Sequence, residues 1–168
     1  MLTTTLRLLR EYHACTDRYR RLCKKLGGAR KYGHDTPIRF DDLLQMNGLD
    51  DTLWALRATP PEEEKDRDFI ARMFAANCAE HVLPIYEAKY PDDNRIRLCI
   101  EASKNFAHGR ITPEELAAAV DAARAAAEAA WTARAAWTAR AAEKTWQAEL
   151  LRKMLNWEAP PDNVKILD

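Results

Sequence analysis

At 168 residues and 19.2 kDa, with 47% apolar residues, the chain suits one domain with a real core plus a protruding helix, although much of the apolar fraction is alanine. Lys+Arg and Asp+Glu balance at 26 each, a zero formal charge that argues against a protein living on bulk nucleic acid. No run of about 18 apolar residues occurs, and Arg7 and Arg10 break the N-terminal apolar stretch, so neither a membrane span nor a classical export signal is expected and a soluble, cytoplasmic protein is.

The balance hides a local asymmetry. Residues 1–34 carry an excess of about seven positive charges and residues 35–68 an excess of about six negative ones. Such segments either pack side by side and neutralise each other or offer a basic face to an acidic partner. Cys15, Cys23, Cys78 and Cys99 fall in apolar helical patterns rather than in loop-rich spacing, and read as reduced core residues.

In chain order, Thr3, Thr4 and Thr5 are candidate N-caps for a basic amphipathic helix within residues 1–28. Leu2, Leu6, Leu9, Tyr12, Cys15, Tyr19, Leu22 and Leu26 recur in it every three or four positions. Gly27-Gly28 stops it after Lys24 and Lys25, and Ala29 to Thr36 reads as a basic loop. Two short helices follow within residues 38–58, one around Ile38 to Met46 ending at Asn47-Gly48, the other over Thr52 to Arg57 behind the caps Asp50 and Asp51, with Leu53, Trp54 and Leu56 placed for burial.

Core helices are expected over residues 62–108. The first opens in the acidic turn Glu62-Glu63-Glu64 and sets Phe69, Ile70, Met73, Phe74, Cys78, Val82 and Ile85 on one side, with Pro84 expected to end or kink it. Tyr90-Pro91-Asp92-Asp93 is a turn with Asp92 or Asp93 as cap, and Ile96, Cys99, Ile100, Ser103 and Phe106 form the buried face of the next helix, which closes at His108-Gly109. Thr112-Pro113-Glu114-Glu115 is a capping box opening one uninterrupted helix of about 40 residues, roughly 60 Å, over residues 112–155, with a tail at 156–168. No alternating strand pattern of convincing length occurs. The fold class is therefore all-α: an irregular bundle of about five to six helices in a single domain, with one long alanine-rich C-terminal helix.

That long helix changes character along its length. Leu116, Val120, Ala123, Ala127 and Ala130 form a small-residue stripe, flanked by the charged Asp121, Arg124 and Glu128. The hexapeptide WTARAA then occurs twice, and three-residue steps give Trp131, Arg134, Trp137, Arg140, Glu143, Trp146, Glu149 and Arg152. Because each such step lags a turn by about 60°, this ridge winds around the helix, so one packed face cannot easily bury both Trp131 and Trp137. Trp and Arg are enriched at binding hot spots, which makes Trp131, Arg134, Trp137, Arg140 and Trp146 the first candidate contact for a partner. The alternative is that the rings cover a bundle end under snorkelling Arg stems. Stacking on single-stranded nucleic acid is disfavoured by Glu143 and Glu149 on the same ridge.

Cys78 and His81 stand three apart as two metal ligands would, and His13 and Cys15 are conceivable completions. With no second closely spaced pair, core residues are the better reading. No cysteine has a demonstrable base, the five glycines form no phosphate-cradling loop, and the Asp pairs are explained as caps, so neither catalytic residue, metal nor cofactor is expected.

The run from Cys78 to Ala136 resembles the alanine-rich proteins labelled putative immunity proteins, found in bacterial genomes and prophages. The resembling elements are the acidic turn with Asn94-Arg95 and Arg97, the helix at Ile100-Glu101-Ala102, Gly109 followed by Ile111-Thr112 and Glu114-Glu115-Leu116, and the alanine tract. NGLDDTLWALRA, Asn47 to Ala58, is similar to that family's upstream segment, so the likeness extends from about residue 38 onward. Two departures stand out: Ile96 replaces the usual Pro after the Asn-Arg pair, and WTAR repeats replace the usual Tyr or Asp interruptions of the tract. What the resemblance implies is a non-catalytic binding protein that neutralises a toxin or defence effector stoichiometrically, bacterial or phage-encoded, with a protein partner. Arg95, Arg97, Asp92 and Asp93 are the second candidate contact. Two other readings are a self-associating helical protein, a homo-oligomer through the Ala stripe and Trp residues of the long helix, and nucleic-acid binding through the basic first helix.

Overall fold

The structure is a computed structural model that describes residues 1–130 and 140–156; for 126–130 and 140–142 it describes the backbone only. The all-α expectation holds: the described residues contain nine α-helices, against two strands of two residues each. Helices outnumber the expectation because the N-terminal part is divided more finely than its periodicity suggests, and because the expected long helix is described in two parts, Pro113–Ala130 and Arg140–Leu155. By internal contacts the chain forms two compact units, Met1–Pro60 with the chain from Ala148 onward, and Pro61–Gln147.

The first unit begins with β1 (Thr3–Thr4), which pairs antiparallel with β2 (Ile38–Arg39), Thr3 opposite Arg39 and Thr4 opposite Ile38. Thr3 and Thr4 are thus strand residues rather than caps, and the buried Thr4 hydroxyl donates to the Ala58 carbonyl at 2.7 Å. Thr5 does cap α1 (Leu6–Glu11), its hydroxyl accepting from Leu8 N at 3.1 Å. The single basic helix expected over residues 1–28 is two helices, because His13 adopts a left-handed backbone with φ 59° and Ala14 N bonds back to Leu9 O at 2.9 Å. In consequence Tyr12 is 47% exposed and Cys15 lies on the surface, so Cys15 is not a core residue. α2 (Thr16–Lys25) stops at Gly27-Gly28 as expected, Gly28 N bonding to Cys23 O at 2.9 Å.

The basic loop expected over residues 29–36 contains a helical turn, α3 (Ala29–Tyr32), pinned by Tyr32 Oη to Pro37 O at 2.9 Å and Thr36 Oγ1 to Tyr32 O at 2.6 Å. After β2 come α4 (Phe40–Asn47) and α5 (Leu49–Ala55), separated by Gly48 at φ 87°, with Asp50 and Asp51 in the first turn of α5. Leu53, Trp54 and Leu56 are only partly buried; Thr52 and Ala55 take the inner positions. Leu2, Leu6, Leu22, Ile38, Phe40 and Leu43 are almost completely buried in this unit. Its basic and acidic segments do neutralise each other in part, since Arg7 pairs with Asp35 and Arg18 with Asp51; Lys25 joins them through a bond to the uncharged Met46 carbonyl.

The second unit is built on α6 (Glu64–Lys89), α7 (Arg95–Ala107) and α8 (Pro113–Ala130), with α7 packed against both neighbours. α6 does not end at Pro84 but runs five residues beyond it. Its burial also differs from the periodic stripe. Ile70 and Phe74 are inside, but Val82 and Ile85 are 42% and 70% exposed, and Ala76 and Leu83 take over as the buried face against Ile100 of α7. Alanine weighs little in a hydrophobic pattern, so the change of face is invisible to periodicity. α7 ends at Gly109, φ 67°, with Arg110 N bonded to Asn105 O at 2.9 Å.

The capping box forms as expected: Thr112 N donates to Glu115 Oε2 at 2.8 Å and Glu115 N to Thr112 Oγ1 at 3.3 Å. In α8 the small-residue stripe is shifted, since Ala123 is buried and Leu116 and Ala119 are partly covered while Val120 is 37% exposed. α9 (Arg140–Leu155) is the far part of the expected long helix, and the division between units falls within it, after Gln147. Residues 131–139 lie outside the described residues, as do the side chains of Ala127, Glu128 and Ala130 and the tail from 157.

Candidate partner-binding surface

The turn between α6 and α7 gathers the second set of candidate residues. Asp93 accepts four hydrogen bonds: from Tyr86 Oη at 2.8 Å, from Arg95 Nε at 2.9 Å and Nη2 at 2.6 Å, and from the Arg95 backbone N at 3.1 Å. The last satisfies a first-turn amide of α7, whose N-cap residue is Asn94, so Asp93 rather than Asp92 is the carboxylate that supports the helix start, from one position before the cap. The Arg95 guanidinium, then the Tyr86 hydroxyl, hold the Asp93 carboxyl well below the usual carboxylate range. Burial, with the bond to Asp93 behind it, pushes the Tyr86 phenol up.

Two further rungs join α6 to α7. Arg97 is bidentate to Glu87, Nε to Oε1 at 2.8 Å and Nη2 to Oε2 at 2.7 Å, and Lys104 Nζ reaches Glu80 at 2.6 Å. The structure therefore brings Asp93, Arg95 and Arg97 together, but into bonds within the unit, while Asp92 stays exposed at the turn. These pairs are half-exposed, so they orient the helices more than they stabilise them. Tyr86, Glu87, Glu80 and Lys104 were not legible as their partners, because the pairing requires knowing that α6 and α7 are antiparallel neighbours in this register.

Of the Trp and Arg ridge, Trp131, Arg134 and Trp137 lie outside the described residues, and so does the Arg140 side chain. Trp146 is described and is partly buried. Its ring stacks on His81 of α6, centroids 3.7 Å apart and planes 10° from parallel, and His81 Nε2 lies 3.4 Å from Glu143 Oε2. Gln147 Nε2 donates to the other oxygen of Glu143 at 2.9 Å. Trp146 is thus a packing residue of the second unit. One turn before His81, Cys78 has its thiol pushed up to about 11 by burial and by the Glu143 charge, so it is a neutral thiol at physiological pH, neither a ready ligand nor a nucleophile. Among the described residues no group of three or more His, Cys, Asp or Glu side chains is placed to hold a metal ion.

The first unit contributes a cleft of about 420 Å³ lined by Leu9, Leu22, Leu43, Trp54, Tyr19 and Asn47, among others. Asn47 Nδ2 donates to Arg18 O at 3.2 Å and Asp51 Oδ2 at 3.0 Å, whereas the buried Asn47 Oδ1 has no hydrogen-bond partner among the described residues. No described helix is long and apolar enough to cross a membrane.

No curated protein and no solved structure matches the chain. Residues 62–148 match the family described as Imm-5 like putative immunity protein, and these bounds coincide within one residue with the compact unit Pro61–Gln147. The match covers the α6–α7–α8 unit, and the chain belongs to the Imm-5 like putative immunity protein family.

Proposed function

We propose that this protein is a non-catalytic, cytoplasmic inhibitor that neutralises a toxin or defence effector by stoichiometric binding, encoded by a bacterium or by a phage acting against a host defence system. The observation that carries this reading is that the family match and one compact unit share the same bounds. The immunity-type unit is thereby joined to another compact unit that lies outside the family match. The chemistry of the second unit supports binding over catalysis. Asp93, Arg95, Arg97, Glu87, Lys104 and Glu80 around the α6–α7 turn are engaged with one another, and the Cys78 thiol is held neutral.

The ridge Trp131, Arg134, Trp137 and Arg140 is the contact we assign to the partner, with the exposed side of Arg95, Arg97 and Asp92 as the second. Trp146 is left out because His81 already occupies its ring face. Trp137→Ala with Arg140→Ala is expected to weaken binding of the effector encoded beside the protein by tenfold or more, with the melting temperature unchanged. Calorimetric titration and thermal melts read the two effects. Parallel loss of binding and stability would make these residues core and remove them from the contact.

A further inference from the structure

The charge asymmetry of the N-terminal segment is only half explained by internal pairing. Residues 1–34 hold nine Arg and Lys side chains against two carboxylates. Three of the nine, Arg7, Arg18 and Lys25, are engaged at the surface by Asp35, Asp51 and the Met46 carbonyl, and they tie α1 and α2 to the acidic segment. The others do not. Leu22 fixes the inner side of α2, and Arg20, Arg21 and Lys24 are all exposed away from it. Arg20 has only a 3.7 Å approach to Asp17, itself 88% exposed, and Arg21 and Lys24 have no ion pair among the described residues.

The turn at Gly27-Gly28 brings α3 back toward the same end of α2: a Cβ added at Gly27 would lie 3.9 Å from the Lys31 side chain. Arg30 and Lys31 are exposed there and likewise have no ion pair among the described residues. Five cations thus sit on the outer side of α2 and on α3 with one carboxylate among them, while the cations that stabilise the fold are a separate set.

We infer that this basic face of α2 and α3, in the unit outside the family match, is an electrostatic docking surface for an acidic protein surface. Charge complementarity selects the occupant. A field of this size steers an acidic partner into encounter and sets its association rate more than its final affinity. A protein surface fits better than a phosphate backbone, because Asp17 stands within the patch and no aromatic ring on the outer side of α2 is available for base stacking. The inference rests on the proposed inhibitor function and adds to it the chemistry of the partner: the surface that meets this unit is acidic.

The test uses full-length protein, fluorescent poly-L-glutamate as the acidic probe, a short DNA duplex as the competing one, and the effector itself. Poly-L-glutamate is expected to bind at low salt, more tightly than the duplex and with affinity falling steeply as salt rises. Arg20→Glu with Arg21→Glu and Lys24→Glu is expected to lose that binding tenfold or more and to slow effector association by a similar factor at low salt, the difference closing at high salt. Arg21→Gln with Lys24→Gln guards against misfolding of the reversal variant and should give an intermediate loss with unchanged circular dichroism. Unaltered binding in both variants, no poly-L-glutamate binding, or tighter binding of the duplex overturns the inference. Effector binding that persists with an unchanged association rate defeats this docking surface alone, whereas no effector binding by the wild type defeats the inhibitor reading.

Discussion

Ile100→Ala is expected to destabilise the family-matched unit by about 3 kcal/mol, within the range of about 2–5 kcal/mol for truncating a buried aliphatic side chain to alanine. Ile100 is 6% exposed and closes the cluster it forms with Ala76 and Leu83, with Ala79 and Ile96 packed at its edge. Three of those five are small or only partly buried, so the cluster has few large side chains to share the loss. The half-exposed rungs Arg97–Glu87 and Lys104–Glu80 cannot replace it. Amide hydrogen exchange along α6, α7 and α8 reads the effect on this unit separately from the other. A loss below about 0.5 kcal/mol, the scale of ordinary surface substitutions, would mean that the cluster is not what holds these helices together.

The second large effect has the opposite sign. Pro84 lies inside α6, where it removes the amide that would bond to the Glu80 carbonyl and crowds that carbonyl, at a cost of about 3 kcal/mol. The helix nevertheless continues to Lys89, because Leu83 is buried on one side of the proline and Glu87 is clamped by Arg97 on the other. Pro84→Ala is expected to stabilise the unit by about 2 kcal/mol, the helix gain less about 0.4–1 kcal/mol for the freedom that proline removes from the unfolded chain. Urea melts and exchange at the amides after residue 84 check it. A destabilised variant would show that the bend or packing imposed by the ring is required.

How legible the fold was depends on how local each determinant is. The capping box of Thr112 and Glu115 and the stops at Gly27-Gly28 and Gly109 act within a few residues, and the structure has them where the sequence puts them. The break at His13 has no such marker, since a non-glycine residue in the left-handed region carries no compositional signature. Thr3 and Thr4 look like caps because their strand partners, Arg39 and Ile38, are remote in sequence. In α6 the large residues Val82 and Ile85 outweigh alanine in any periodic reading, yet Ala76 is buried and they are not.

The candidate site divides in the same way. That an aspartate of the turn, Asp92 or Asp93, supports the start of α7 is a local relation and was readable; that it is Asp93, and that Arg95 and Tyr86 both bond to it, depends on how the turn folds and where α6 ends. Trp146 had the spacing of the ridge, but its place is decided by His81, far away in sequence. Family membership was readable from the order of motifs after Cys78, each of them common alone, and its bounds are those of a folded unit.

Inhibition by one-to-one binding leaves a stoichiometric signature that a titration reads. The toxin or effector encoded beside the protein is held at a concentration well above its Kd for the complex, and its residual activity is followed as protein is added. Activity is predicted to fall linearly to zero at one equivalent, with intact effector recovered when the complex is denatured. Complete inactivation at a small fraction of an equivalent, or recovery of a modified effector, would mean turnover and would rule out a stoichiometric inhibitor.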